Sequence, residues 1–421
     1  MTKYKPQVLL TTDKGFVHHL PNLIKSLIAF NREHLDIHII ASFDLAQSKE
    51  KEYFADLLNC DYVTLHFHYI TPEHRFKCEN VDYSDKEKAN AMSLRLYATE
   101  LNLQGRVLYL DADIICAAPF AELFDSEQVD LQGKTLGIVA DYNLMHKNAV
   151  RDGNVFQSKL SAKASQLNFT SEQPYFNSGF LLIDMDKLKQ SDLWLKNIAT
   201  LKDYNRFPDQ DLLNVMHFGD TFELSSKYNY LVYHLINNRY YFFKDKWHQV
   251  TTKPTTNVRY TYEQANTFAP DYPFAQVDIF TKVTPTFLHF AGRQKQWNNT
   301  AREFVDAYQI FSQSIEQILS KPVSYYQEYF ATLYQVYDYL PILNEYKGCP
   351  EFTTLNSQKH KLYFHKSKPW TYNPVFLNTK MFASTGLKVL IRNALTTKGR
   401  DKFNAQEYQA KKEIFAQKFA K

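Results

Sequence analysis

The stretch that decides the fold reads Gly105-Arg106-Val107-Leu108-Tyr109-Leu110-Asp111-Ala112-Asp113-Ile114-Ile115-Cys116. It is short, apolar and β-branched, opened by glycine and followed by Pro119, the pattern of a buried strand in a parallel sheet. Two carboxylates stand at its carboxyl end. Strand side chains repeat every two residues, which predicts Asp111 and Asp113 on the same face. In open α/β sheets, ligands bind beyond the carboxyl ends of the strands. Like charges this close are costly unless a cation sits between them. Hard oxygen donors suit Mg²⁺ or Mn²⁺ holding a diphosphate. The competing reading is a pair of loop-edge aspartates capping the next helix; the strand ahead of them favours a metal.

Upstream, residues 8–10 read as a first strand ending in Thr11-Thr12-Asp13-Lys14-Gly15-Phe16. Leu20, Leu23, Ile24, Leu27 and Ile28 then recur at helical spacing. Residues 37–40 predict a second strand, residues 46–58 a helix and residues 62–67 a third strand. After a charged loop over 72–90, a helix carrying Met92, Leu94, Arg95, Leu96, Tyr97 and Leu101 leads into the decisive stretch. The alternation β-α-β-α-β predicts an α/β, doubly wound, mostly parallel sheet with helices on both faces. Downstream, residues 136–140 form a strand with Asp141 at its end, and residues 142–172 a polar loop. Tyr175-Phe176-Asn177-Ser178-Gly179 turns into a strand over 180–184. Phe207-Pro208-Asp209-Gln210-Asp211 opens a helix whose acids lie in the first turn, where the helix dipole favours them. Residues 230–285 are rich in Tyr and Thr and ambiguous, and they end in Thr286-Phe287-Leu288-His289-Phe290-Ala291-Gly292-Arg293-Gln294-Lys295-Gln296-Trp297.

The 421 residues hold one large or two ordinary domains, and 44% hydrophobic with 22% charged residues is a globular composition. A formal charge of +4 over this length excludes nucleic acid as the expected partner. The 29 Tyr and 32 Phe, against 11 Gly, include carbohydrate stacking among their possible uses. Cys60, Cys78, Cys116 and Cys349 are scattered and read as reduced thiols of a cytoplasmic protein. No signal-peptide core follows Met1, and no apolar run reaches the roughly 18 residues of a membrane span.

Four motifs in order, Val107-Leu108-Tyr109-Leu110-Asp111-Ala112-Asp113, Phe176-Asn177-Ser178-Gly179, Asp209-Gln210-Asp211 and the run from His289 to Trp297, closely resemble glycosyltransferase family 8. The resemblance covers residues 6 to about 298. It implies a GT-A fold and retaining transfer of a hexose, galactose or glucose first, from a UDP-sugar to a glycan or lipid-linked glycan acceptor, as in bacterial lipopolysaccharide and lipooligosaccharide synthesis. By resemblance, Asp111, Asp113 and His289 hold Mn²⁺ (or Mg²⁺). Gly292 lets backbone approach phosphate, and Lys295 neutralises the leaving group. Asp13 is similar to the family's nucleotide-loop aspartate, and Phe16 falls where an aromatic stacks on the base. Lys14-Gly15-Phe16 stands where the family commonly has an Asp-Asn-Tyr type of loop. Arg95 resembles a phosphate- or sugar-contacting arginine, with a local pair to Glu100 as its alternative. Asn177, Asp209 and Gln210 resemble donor-sugar ligands, with Gln210 and Asp209 nearest the chemistry. Asp141 faces either sugar, and Asp211 reads as a helix-cap acid.

Beyond Trp297 the texture changes. Phe304, Tyr308, Phe311, Ile315 and Ile318 share one helical face, as do Tyr326, Phe330, Leu333, Tyr337 and Leu340. From Lys380 the chain turns basic. We therefore expect a catalytic domain over 1–300 and a mainly helical, aromatic and basic extension over 301–421, whose tail docks peripherally on an anionic inner membrane face or is simply a solvated basic helix. Two rival functions share parts of this pattern. A haloacid-dehalogenase-like phosphatase also carries Asp-x-Asp after an apolar strand, but normally with Thr or Val next, where this chain has Ile114. A non-catalytic glycan-binding protein on the same fold would retain sugar binding without turnover.

Overall fold

The computed structural model describes residues 6–71, 93–141, 161–167, 169, 173–204, 207–232, 238–243, 246–251, 277–282, 284–292, 295–297, 302–336, 342–346, 410 and 412–419. The chain forms two compact units, Met1–Tyr233 with Thr284–Gln327, and His234–Val283 with Glu328–Lys421.

The first unit is built on strands β1 (Gln7–Thr12), β2 (Leu35–Ala41), β3 (Val63–Tyr69), β4 (Arg106–Leu110), β5 (Ile114–Cys116), β6 (Leu136–Ile138), β7 (Phe180–Asp184), β8 (Thr221–Glu223) and β9 (Tyr230–Leu231). Seven of them make one sheet in the order β3-β2-β1-β4-β7-β6-β8. The pairs β3/β2, β2/β1, β1/β4 and β6/β8 are parallel, and β7 runs antiparallel to both neighbours. Val8, Leu9 and Leu10 are fully buried, as are Val107 to Leu110, because both faces of these central strands are covered. Leu9, Tyr109 and Leu181 sit side by side in register across three strands. They pack on Leu94, Leu96, Tyr97 and Trp194.

Helix α1 (Leu20–Phe30) follows β1 and starts with Pro21 in its first turn, where a missing N–H costs nothing. Helices α2 (Met185–Ser191), α3 (Leu193–Asn197) and α4 (Pro208–Met216) follow β7. The stretches read as helices over 46–58 and 92–101 are 3₁₀ turns instead, Leu45–Gln47, Lys49–Phe54 and Leu94–Glu100. Over the last of these Leu94, Arg95, Leu96, Tyr97 and Ala98 are all buried in succession. A segment covered on every side follows its neighbours rather than a one-faced helical period.

The decisive stretch also departs from a single strand. β4 stops at Leu110, residues 111–113 turn, and β5 enters a second, three-stranded sheet. There β13 (Phe287–His289) lies between β5, antiparallel to it, and β9, parallel to it. The two acids therefore occupy the turn between two sheets rather than one strand face. The Asp111 N–H donates to Gly179 O at 2.8 Å, and Asp113 O accepts from the Phe290 N–H at 2.9 Å.

Residues 304–318 form two helices, α5 (Arg302–Ile310) and α6 (Ile315–Leu319), rather than one continuous face. Ser314 and Gln317 form a capping box that starts α6. Polar side chains of α1 hold the break, with Asn22 donating to Ser312 Oγ at 2.8 Å and Lys25 to Gln313 O at 2.8 Å. Cys60 and Cys116 are buried free thiols, and burial pushes both above the ordinary thiol range.

Helix α7 spans Val323–Val336. In the second unit, β10 (Asn238–Phe243) pairs antiparallel with β11 (Lys246–Thr251), and β12 (Val277–Lys282) with β14 (Ile342–Tyr346). Tyr329 packs edge-on against Phe415 and Phe419 of the helical stretch 412–419, and Lys418 pairs with Glu328 at 2.9 Å. Cys78, Cys349, the loop over 72–90, residues 142–160 of the polar loop, and most of the basic tail from Lys380 lie outside the described residues. Among the described residues, no helix is long and apolar enough to cross a membrane.

Candidate active site

Asp111, Asp113 and His289 converge at the turn after β4, with one ligand atom from each lying within 4.8 Å of the others. His289 arrives at the end of β13, whose pairing with β5 sets it opposite Ile114. Its Nε2 lies 3.2 Å from Asp113 Oδ1. Lys295, six residues on, donates to the other oxygen of Asp113 and to Phe290 O. Burial works against charge on Asp113, but Lys295 and His289 hold its carboxyl well below the usual carboxylate range.

Arg95 organises the opposite side. It does not pair with Glu100. Its guanidinium reaches Asp111 and Asp209 at 3.1 Å each and donates to Ser178 O. Burial alone would favour its neutral form, yet Tyr109, Asp111 and Asp209 outweigh that and raise its pKa. Tyr109 donates to Asp111 Oδ1 at 2.6 Å, and the Arg95 guanidinium lies over the Tyr109 ring. Each acid thus has its own cationic partner, which is how two carboxylates share one turn.

The amide side of the site forms where the turn 176–179 meets α4. Asp209, Gln210 and Asp211 are all buried although they sit in the first turn of a helix. Gln210 Oε1 accepts from Asn177 Nδ2 at 3.0 Å and from the Ser178 N–H at 3.1 Å. Its Nε2 donates to Asp141 at 3.2 Å and to Tyr175 Oη at 3.3 Å. Asp211 is not a cap: it accepts from Tyr175 Oη at 2.5 Å and from the Ser161 N–H at 2.8 Å. Burial raises the pKa of both Tyr175 and Asp211. Asn214, one turn after Gln210, clamps both backbone groups of Phe176 at 2.8 and 2.9 Å. Gly179 is where side chains crowd most. A Cβ there would run into the His289 ring and stand 2.6 Å from Asp111 Oδ2.

Asp13 and Phe16 lie at the carboxyl end of β1. Asp13 Oδ1 accepts from the N–H groups of Gly15 and Phe16 at 2.8 and 2.9 Å, shaping that loop. Phe16 meets Trp297 edge-on at 5.8 Å, and Trp297 stacks on His19 at 3.6 Å, so the first loop and the last motif share one aromatic wall. Gly292 is exposed with φ of 84° and open space where a Cβ would be. Glycine suits it through backbone conformation, not crowding.

The structure therefore joins Arg95, Asp111, Asp113, Asn177, Asp209, Gln210, His289 and Lys295 in one network, with Asp13 and Phe16 on the adjacent strand end. Tyr109, Tyr175, Asn214 and Asn229 belong to it too without having been singled out from sequence. A divalent ion takes oxygen ligands at about 2.0–2.3 Å, so three donors within 4.8 Å of one another need draw in only slightly. The chemistry of the donor set fits Mn²⁺ or Mg²⁺.

Fold and site together define an α/β protein with an Asp–Asp–His cluster and a polar, amide-lined floor at the end of its central strand. Residues 7–301 match the sequence model described as Glycosyl transferase family 8, and the chain belongs to that family. The GT-A architecture expected of it agrees with the mixed seven-stranded sheet. The chain is 30% identical over 182 residues to the lipopolysaccharide 1,2-glucosyltransferase of Escherichia coli K12, covering 41% of this chain and 48% of that one. It is 27% identical over 244 residues to glycosyltransferase GlyF of Streptococcus pneumoniae, covering 55% and 51% respectively. The chain thus spans about half the length of these curated relatives. A crystal structure of galactosyltransferase LgtC with donor and acceptor sugar analogs superposes with a TM-score of 0.48 at 18% identity, over 73% of this chain and 96% of that one.

Proposed function

We propose that this protein is a metal-dependent, retaining hexosyltransferase. It moves galactose or glucose from a UDP-sugar to a glycan or lipid-linked glycan acceptor of a lipopolysaccharide, lipooligosaccharide or other surface polysaccharide. The observation that carries the reading is the meeting of Asp111, Asp113 and His289 with the Asn177–Gln210 amide pair across the 111–113 turn. A phosphatase or a bare lectin has no need of both halves.

The three ligands would hold Mn²⁺ or Mg²⁺, and the ion when bound offsets charge on the donor diphosphate. Lys295 adds a second positive charge on the same side. Asn177, Asp209 and Gln210 orient the sugar through its hydroxyls. Asp209 is taken by Arg95 and by Ser178 Oγ at 3.2 Å, and Asp211 by Tyr175 and Ser161. Neither is placed as a base for an incoming hydroxyl, and the Gln210 amide is a feeble nucleophile. The departing UDP oxygen therefore takes the acceptor's proton as the C1–O bond to phosphate breaks and the new glycosidic bond forms on the same face. Residues 1–300 carry this chemistry, and residues 301–421 serve placement on the cytoplasmic face of a membrane. Support for that placement is the basic composition after Lys380.

A thermal-shift panel of nucleotide sugars with and without Mn²⁺ tests the reading. A donor at 100 times its Kd stabilises by about 2.7 kcal/mol, and a UDP-hexose should do so only with the metal. Flat melting curves across the panel, or hydrolysis of p-nitrophenyl phosphate without any sugar nucleotide, would overturn it.

A further inference from the structure

Asn229 has no place in the reading so far, although it is 3% exposed and touches both halves of the site. It ends the short 3₁₀ turn Ser226–Asn229 just before β9, the strand that pairs with β13 and so lies beside His289. Its Oδ1 is 2.8 Å from His289 Nδ1, and its Nδ2 is 3.0 Å from Asn177 Oδ1.

Two backbone donors remove the ambiguity of these amides. Asn177 Oδ1 accepts the N–H of Gly179 at 3.0 Å, and a backbone N–H only donates. The atom of Asn229 that faces Asn177 Oδ1 must then be a donor, Nδ2, which turns Oδ1 toward the imidazole. Asn177 presents its own Nδ2 to Gln210 Oε1, which the Ser178 N–H fixes as an acceptor. No other orientation pairs every atom along this line. An acceptor at Nδ1 fixes a proton on that nitrogen, so Nε2, which lies 3.2 Å from Asp113 Oδ1, is the nitrogen left to offer its lone pair when a cation enters the cluster, the form in which a neutral imidazole binds a metal.

We infer that Asn229 is a positioning residue that sets the His289 tautomer for the cation and, through the same amide, the orientation of Asn177 toward Gln210. The instruction originates in the Asn177-Ser178-Gly179 turn, so the sugar-side loop dictates how the metal-side imidazole presents itself. This inference rests on the metal reading above, which the Mn²⁺ titration below tests separately.

The test uses full-length protein labelled with ¹⁵N-histidine and saturated with diamagnetic Mg²⁺, because without an ion the Asp113 carboxylate 3.2 Å from Nε2 competes for the proton. Long-range ¹H–¹⁵N spectra report the tautomer, with His289 assigned by its loss in His289→Gln. Wild type should show the Nδ1–H form. Asn229→Leu should lose it and bind Mn²⁺, titrated alone by electron paramagnetic resonance, about 10–100-fold more weakly. Asn229→Asp keeps an acceptor at Nδ1 but sets a second one against Asn177 Oδ1, so it should keep the Nδ1–H form. An Nε2–H tautomer in wild type overturns the inference outright, and this measurement stands even where Asn229→Leu fails to fold. A folded Asn229→Leu with wild-type tautomer and Mn²⁺ affinity overturns it equally. Wild type that keeps the Nδ1–H form yet binds no Mn²⁺ overturns the metal reading and leaves the tautomer assignment intact.

Discussion

Asp113 bonds to both His289 and Lys295, and its buried carboxyl is held strongly ionised by them. Asp113→Asn keeps the shape and removes the charge. Turnover should fall by orders of magnitude while the circular dichroism spectrum stays that of wild type; Mn²⁺-dependent turnover at the wild-type rate would contradict the assignment. Gly179→Ala tests the crowding at the same point. The added methyl meets the His289 ring and Asp111 Oδ2, so Mn²⁺ binding should weaken sharply even if the melting temperature drops only modestly, as a titration by isothermal calorimetry would show. Gln210→Ala should slow transfer without abolishing UDP or metal binding, since the Gln210 side chain bonds to Asn177, Ser178, Asp141 and Tyr175. The product's anomeric proton coupling, read before mutarotation, should show an α-linkage from an α-linked donor.

At the scale of elements, the tie between the turn 176–179 and α4 shapes the site, whereas the tie between α1 and the α5–α6 break serves stability. Lys25 on α1 is 6% exposed and bonds to Asp56 and Gln313 O at 2.8 Å each. Lys25→Ala removes a charged hydrogen-bond donor from both, and should cost about 2 to 3 kcal/mol in urea unfolding with donor affinity unchanged. The motifs that the fold brings together at the candidate site stood out in the sequence because polar groups concentrate there in runs. Asp111-Ala112-Asp113, Asn177-Ser178-Gly179 and Asp209-Gln210-Asp211 each pack several functional groups into three or four positions. Asn229 and Asn214 stand alone between ordinary residues, and a single amide has no pattern until the fold brings its partners to it. The break of residues 105–116 into β4 and β5 was hidden for a different reason. Alternating Asp-Ala-Asp is compatible with a strand, and the hydrogen bonds that turn it come from Gly179 and Phe290, far along the chain. The 3₁₀ turn at Leu94–Glu100 was likewise masked by apolar residues that suit a helix equally well.

For the molecule as a whole, the sheet carries its own pH response. His38 on β2 stacks on His66 at 4.4 Å, and its Nδ1 lies 3.0 Å from His68 Nε2, with Asp36 nearby. Burial, then His66 and His68, bring the His38 pKa from 6.5 down to about 4 and lower His68 too. The unfolded chain therefore takes up protons below about pH 6.5 that the folded one refuses. Stability present above that pH should be lost as pH falls toward 4, by about 3 kcal/mol for His38 alone. Chemical denaturation between pH 7 and pH 4 would check it, and His38→Gln should flatten the profile. A variant ending at Tyr372 tests the tail: donor hydrolysis should persist while salt-sensitive binding to anionic liposomes disappears, and unchanged binding would leave the tail without that role.

The small sheet has one further consequence, for the chain as it is being made. β13 is the middle strand, yet it is synthesised last, after β5, after β9 and after the whole excursion through His234–Val283. Until it emerges from the ribosome, the imidazole is missing from the cluster, and β5 and β9 lack the strand that both of them pair with. A message cut short between residues 231 and 287 would not yield a feeble enzyme. It would yield a fragment carrying two bare strand edges, the kind that recruits other chains, so nonsense truncations in this window should appear in the insoluble fraction, whereas those beyond residue 336 need not.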